Sequence, residues 1–194
     1  MKTLVRNFSR EVLLSLYCLA LIFSTGSGLF AATKANNPTP RDAAHYQTWL
    51  TNEVRHQLVM LPWYSVFDNL EFKVDGSEVT LLGQVVNPTL KFDAENAVKH
   101  IEGVTRVVND IEILPPSPMD YQIRRAEYRA IFGEPGLERY AMGSVPSIHI
   151  VVKGGHVTLE GVVATQSDKD WVNMRANLVP GIFSVTNNLR VESV

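Results

Sequence analysis

An internal repeat constrains the fold of this chain more than any other feature of its sequence. Residues 70–113 align without a gap with residues 148–191, at a constant offset of 78 positions and with 11 identical pairs among 44. Most identical pairs are glycines or apolar residues at alternating positions. Because self-similarity at a fixed spacing indicates one structural unit used more than once, the sequence predicts two copies of a small module.

The hydrophobic pattern predicts the order α-β-β-α-β within each copy. Residues 70–74 alternate between apolar and polar, as in a half-buried strand, and Asp75-Gly76 predicts a hairpin turn. A helix that Thr89 or Ser167 would cap follows the hairpin, then a last strand; a further amphipathic helix precedes each hairpin. The predicted fold class is therefore α+β, with two tandem modules that each hold a small three-stranded sheet and two helices on one face.

The predicted modules cover residues 42–114 and 120–192, and a Pro-rich linker at 115–119 joins them. Copy two carries an insertion between its first helix and its hairpin. Glycines mark turns and helix ends, and two of them lie within strands, where they predict a bulge or a close approach of backbones. These structural glycines are Gly76, Gly83, Gly103, Gly154, Gly161 and Gly181.

The N-terminus has the features of an export signal. Lys2, Arg6 and Arg10 precede the apolar run 12–23, and small residues follow it. Residues 1–32 are therefore interpreted as a signal peptide or, alternatively, as an uncleaved N-terminal anchor, with residues 33–41 as a linker. The single cysteine, Cys18, lies in the apolar run, so the chain beyond it has no thiol for a disulfide, a metal or catalysis.

The sequence contains no pattern of a catalytic, metal or cofactor site, so we expect a protein that is not an enzyme and has no cofactor. The five histidines lack a metal-ligand spacing, and His149 and His156 are expected to face solvent. A nucleic-acid-binding protein normally carries a basic surface, whereas the formal net charge here is −2. We therefore expect no nucleic-acid partner.

The second helix of copy two has an additional apolar side. Trp171, Met174 and Leu178 lie within about 60° of one another on a helical projection, away from the predicted core residues. Their counterparts in copy one are polar, and Lys169 and Arg175 are predicted to flank the apolar residues. Such a surface suits an anionic phospholipid membrane, but packing against copy one or a second subunit is an equally open interpretation.

Two short motifs occur in both copies and resemble a known family. Residues 79–85 read Val-Thr-Leu-Leu-Gly-Gln-Val and residues 157–163 read Val-Thr-Leu-Glu-Gly-Val-Val; residues 103–109 and 181–187 share Gly-Val/Ile-x-x-Val-x-Asn. With the order of elements, these motifs resemble the BON family of bacterial envelope modules over residues 42–192. The resemblance implies a non-enzymatic, exported, periplasmic or membrane-peripheral protein. It further implies binding to phospholipid or envelope proteins, lipid contact through this helix of a second module, and a role in envelope integrity and stress response. A periplasmic protein-binding scaffold or a homo-oligomer is the alternative.

Overall fold

The computed structural model describes residues 40–192, with side chains from residue 42, and these residues belong to one compact unit. The predicted signal peptide or anchor at 1–32, Cys18 and most of the 33–41 linker lie outside the described residues. Within the described part, no helix combines the length and the apolar character needed to cross a bilayer.

Module one contains two helices and a small mixed sheet. Its elements are α1 (Pro40–Val59), β1 (Asn69–Asp75), β2 (Glu78–Val85), α2 (Pro88–Lys99), β3 (Arg106–Asn109) and β4 (Glu112–Ile113). β1 pairs antiparallel with β2, and β3 and β4 both pair parallel with the other side of β2. β1 is therefore an edge strand.

Module two repeats this order. Its elements are α3 (Pro118–Phe132), β5 (Ile148–Lys153), β6 (His156–Val163), α4 (Gln166–Asn177), β7 (Ser184–Asn187) and β8 (Arg190–Val191). β6 pairs with β5 on one side and with β7 and β8 on the other, as β2 does in module one. The insertion predicted before β5 includes a short 3-10 helix, Glu138–Ala141. The α+β prediction with two α-β-β-α-β modules is confirmed, whereas the module boundaries at 42–114 and 120–192 stay a prediction.

The third strand of each sheet is broken, which the sequence did not predict. Asn109 causes the break in module one, because its side chain donates to the Lys91 carbonyl (2.9 Å) and accepts from the Ile111 amide (3.3 Å). Asn187 makes the matching bonds to Lys169 (3.1 Å) and Leu189 (3.1 Å). This identical pair of the repeat therefore ties the last strand to the second helix.

The helix caps also differ from the prediction. Asn87 caps α2 by accepting from the Thr89 amide, and Thr165 caps α4 by accepting from the Asp168 amide. Both cap residues lie two positions before the predicted Thr89 and Ser167. The reason is local. The cap residue is the second residue after the strand, and its side chain reaches the exposed amides of the first helical turn.

Gly83 and Gly161 have the backbone geometry that only glycine adopts without strain. Their φ angles are +107° and +121°. A Cβ at either position would overlap a main-chain carbonyl oxygen, that of Asn69 in β1 or that of Ser147 just before β5. The four other predicted glycines also have positive φ. The close approach of backbones thus occurs at the same place in both sheets.

Each module has its own core, and module one contributes a residue to the core of module two. Val66, in the loop between α1 and β1, is 8% exposed and packs within the cluster formed by α3, α4 and the second sheet. Its carbonyl accepts a hydrogen bond of 2.7 Å from the Ile150 amide on β5. Tyr64, in the same loop, stacks on His149 with ring centroids 5.3 Å apart.

This junction corrects the expectation for His149. His149 is 7% exposed and not solvent-facing, because the loop of module one covers it, whereas His156 is exposed as expected. A histidine on the polar side of a strand is exposed only if nothing packs on that side.

Candidate functional site

The cap and the core together fix the orientation of α4. The Thr165 hydroxyl accepts from the Asp168 amide (3.1 Å), which starts the helix at Gln166. Val172 and Ala176 are fully buried against the second sheet. Because successive residues turn by about 100°, the opposite side of α4 must point away from its own module.

We call Trp171, Met174 and Leu178 the α4 face. Trp171 is 45% exposed, Met174 43% and Leu178 67%, so residues 42–192 leave these side chains accessible. Within the described residues, module one therefore does not cover this face, although the sequence left that interpretation open. The α4 face is therefore available to a lipid surface or to another molecule.

Of the two cations predicted to flank the α4 face, Arg175 lies about 40° around the helix from Trp171, whereas Lys169 does not lie beside the face. Arg175 forms an ion pair with Glu134, from the segment after α3. Lys169 lies about 160° around the helix from Trp171, on the same side as the buried Ala176. Its counterpart Lys91 donates to the Ile111 carbonyl at 2.7 Å. Because Glu134 neutralises the charge of Arg175, an unpaired positive charge near the α4 face has to come from other residues.

Module one provides a natural comparison on α2. The counterparts of the α4 face are Asp93, Asn96 and His100, of which Asn96 and His100 are exposed. Sequence comparison missed Phe92, which is 59% exposed at the margin of the same side of α2. The surface of α2 thus has one large apolar residue where α4 has three.

A cationic groove lies beside the C-terminal end of α4. It has a volume of about 440 Å³ and is bordered by α3 and by the turn at Pro180 and Gly181. Tyr121, Arg125 and Arg129 line it at four-residue spacing on the exposed side of α3, and the Arg125 guanidinium lies 5.8 Å from the Tyr121 ring centroid. Neither arginine forms an ion pair within residues 40–192. The four-residue spacing was visible in the sequence, but the proximity of α3 to the end of α4 was not.

The ionisable groups with strongly shifted pKa values lie apart from this surface. Burial raises the pKa of Glu127, on α3, to about 8, and raises that of Tyr64 to about 12. Burial lowers the pKa of His149. Within residues 40–192, no cluster of three His, Cys, Asp or Glu side chains is arranged to hold a metal ion.

Comparison with known proteins identifies the family. A family model described as BON domain matches residues 47–115 and 137–193, which is more than half of the chain. The chain belongs to the BON domain family. BON-domain proteins are associated with the bacterial envelope, have membrane- and protein-interaction roles and are generally not enzymes. In module two the matched segment begins at residue 137, so α3 lies outside it.

The solved structures to which this chain shows some similarity include two of CdsD, a structural protein of the type III secretion system of Chlamydia trachomatis. The first is 12% identical, with 75% of this chain and 93% of that chain covered and a TM-score of 0.29. The second, its C-terminal domain, is 13% identical, with 74% and 98% covered and a TM-score of 0.31. Comparison with curated proteins gave no match.

Proposed function

We propose that this chain is a non-enzymatic, exported envelope protein that binds the surface of phospholipid membranes, mainly through module two. The observation that carries the proposal is the α4 face, which exposes three large apolar side chains on a helix whose inner side is already buried. An exposed apolar patch of this kind on a helix lying flat against a module is typical of an interfacial contact. Its membership in an envelope-associated family supports the same location.

The source of positive charge in this proposal is α3. Arg125 and Arg129 border the groove that ends at Pro180, two residues beyond Leu178. Anionic headgroups attract cations near the surface, at roughly 1 kcal/mol for each Lys or Arg. We therefore expect a preference for anionic vesicles that depends on these two arginines.

Binding through this surface alone is expected to be weak. Complete burial of each α4-face side chain would contribute roughly 1.5–3 kcal/mol. Trp171 and Met174 are already more than half covered by protein, so insertion gains only part of that. A second attachment, such as an N-terminal anchor or several copies on one vesicle, would raise the affinity by effective concentration.

Vesicle flotation tests the proposal directly. The chain from residue 33 onward is mixed with vesicles of phosphatidylglycerol and phosphatidylcholine, or of phosphatidylcholine alone. The triple change Trp171→Asp, Met174→Asn and Leu178→His, which installs the residues of module one, should abolish flotation. Arg125→Gln with Arg129→Gln should remove the preference for the anionic vesicles.

The chain offers a matched control in Phe92→Asp, which replaces the exposed aromatic of α2 with the residue that α4 has at that position. This variant should float like the wild type. If the triple variant also floats like the wild type, the α4 face is not the membrane contact. If it changes the oligomeric state in light scattering instead, the face is a protein interface, which is the alternative function as a scaffold or dimerisation module.

A further inference from the structure

The outer edge of β1 has main-chain groups without partners. The Leu70 amide donates to the Tyr64 hydroxyl (3.4 Å) and so points away from β2. Because alternate residues of a strand direct their main-chain groups to the same side, the groups of Phe72 and Val74 also face this edge. Within residues 40–192 no hydrogen bond reaches these outward groups of Phe72 or Val74.

The corresponding groups of module two are occupied. Ile150 stands where module one has Phe72, and its amide donates to the Val66 carbonyl at 2.7 Å. Val152 stands where module one has Val74, and its carbonyl accepts from the Arg124 guanidinium at 2.6 Å. The fold therefore covers this edge in one module and leaves it open in the other.

Helix α1 leaves room beside this edge. The first helices align at an offset of 73 residues, because Gln47 and Asp120 both bond the hairpin turn of their own module. Where α3 has Arg124, α1 therefore has Thr51, whose short side chain donates to its own helix. Thr51 lines two adjoining open hollows, of about 350 and 610 Å³, that follow α1 along β1. We call the side of these hollows formed by module one the α1–β1 groove; it is lined by Thr51, Arg55, Leu58, Val59, Phe72 and Val74.

We propose that the α1–β1 groove binds an extended segment of a partner protein, which adds a strand to the edge of β1. Its main chain would supply an acceptor to the Phe72 amide, as Val66 does for Ile150, and a donor to the Val74 carbonyl. Strand addition to an exposed sheet edge is a common mode of peptide recognition, in which alternate side chains enter pockets beside the strand.

The groove also indicates which side chains the segment should have. Leu58, Val59 and Phe72 favour apolar or aromatic side chains, like those of Val66 and Phe67 at the equivalent edge. Arg55 makes no ion pair within residues 40–192, which favours a carboxylate in the segment. The two acids at the rim of the larger hollow, Glu71 and Glu160, accept from the side chains of Asn69 and Asn188.

A second copy of this chain is a poorer occupant. The segment of matching chemistry, around Val66, is buried and bonded to β5 of its own chain. It would have to leave the core of module two to reach another molecule. A separate protein bears no such cost.

The probe is a labelled peptide with the sequence of residues 64–69, Tyr-Ser-Val-Phe-Asp-Asn, with blocked ends. It is titrated into the chain from residue 33 onward and followed by fluorescence anisotropy and by the amide signals in NMR spectra. We expect saturable binding and a shift of the Phe72 amide signal. Thr51→Arg, which introduces the side chain that covers the edge in module two, should weaken binding at least about tenfold. His56→Arg, an exposed change elsewhere on α1, should leave it unchanged.

Three results would overturn the proposal. The first is equal binding by the wild type and by a folded Thr51→Arg variant. The second is a shift of the Ile150 amide in place of the Phe72 amide, which would show that the peptide displaces Val66 from module two. The third is the conversion of a dimer to a monomer by Thr51→Arg, which would make a second copy the occupant.

Discussion

Strands β1 and β5 occupy the same place in the two modules but have different surroundings. On β1, Glu71 and Lys73 are exposed, whereas His149 and Val151, at the same positions of β5, are buried. For His149 the difference arises because Tyr64, in the loop that contains Val66, stacks on its ring, while no aromatic ring within the described residues stacks on Glu71. Identical pairing registers therefore do not imply identical burial, since burial depends on what packs against the sheet.

The first helices show a second contrast. The Gln47 side chain donates to the Gly76 carbonyl at 2.7 Å, whereas Asp120 accepts from the Gly154 and Gly155 amides at 2.9 and 2.8 Å. Both contacts fasten the first helix to the hairpin turn, with the direction of the hydrogen bond reversed. The contact between the first helix and the hairpin turn is therefore present in both modules, but it is formed by different groups.

The largest expected effect tests whether the two sheets are strained alike. Gly83→Ala and Gly161→Ala should each lower the free energy of unfolding by about 3 kcal/mol or more, because each adds a Cβ onto a carbonyl oxygen at positive φ. Gly154→Ala is the control, since its φ is +59° but no atom lies within 4 Å of the added Cβ. It should cost about 1–2 kcal/mol. Denaturant unfolding measures all three, and a similar loss for Gly154 and Gly161 would contradict the close approach of backbones.

The second prediction concerns Glu127, a buried acidic residue of α3 that has no counterpart in α1. Glu127 lies in α3 where α1 has Val54, and its two carboxylate oxygens are buried without hydrogen-bond partners in the described part of the chain. Glu127→Val should therefore stabilise the protein by a few kcal/mol at neutral and higher pH, because an unpaired buried carboxylate is costly. Thermal unfolding at pH 8 provides the comparison, and a less stable variant would mean that the carboxylate has an unrecognised partner.

The same carboxyl group gives stability a defined pH dependence. Its pKa in the folded protein is about 8, well above the value near 4.3 of an unfolded chain, so the folded state binds the proton more tightly. Stability should fall as pH rises through this interval, by up to roughly 1.4 kcal/mol per pH unit. His149, with its lowered pKa, acts in the opposite direction below about pH 6.5. The difference in unfolding free energy between wild type and Glu127→Gln, measured as a function of pH, isolates the contribution of this carboxyl group. Equal slopes of stability against pH for the two proteins would exclude Glu127 as the cause.

The third prediction concerns the junction between modules. Val66→Ala should lower stability by about 2 kcal/mol, because the residue is buried in the core of module two. Hydrogen exchange of the Ile150 amide should speed up, although the change lies in the sequence of module one. Val86→Ala, at a 39% exposed position of module one, is the control and should cost less than about 0.5 kcal/mol. If exchange at Ile150 is unchanged, the junction does not stabilise module two.

The repeat was sufficient to predict the order of elements and the glycine positions, because both depend on local periodicity and turn chemistry. Three other features could not be predicted, because they depend on contacts between residues distant in the sequence. The burial of His149 requires the loop around Tyr64, the ion pair of Arg175 requires Glu134, and the groove of Arg125 requires α3 to lie beside the end of α4. Lys169 is a different case, since helical geometry alone places it opposite Trp171.

The smallest expected effect concerns the difference in surface residues between α2 and α4. The triple change Trp171→Asp, Met174→Asn and Leu178→His should alter the free energy of unfolding by no more than about 1 kcal/mol. Each side chain is at least 43% exposed, and the fold already tolerates these residue types on α2. Differential scanning calorimetry of wild type and variant measures the difference. A loss of several kcal/mol would mean that the α4 face stabilises the module itself. In that case loss of flotation would report unfolding, and the contrast between α2 and α4 would concern stability and not membrane contact.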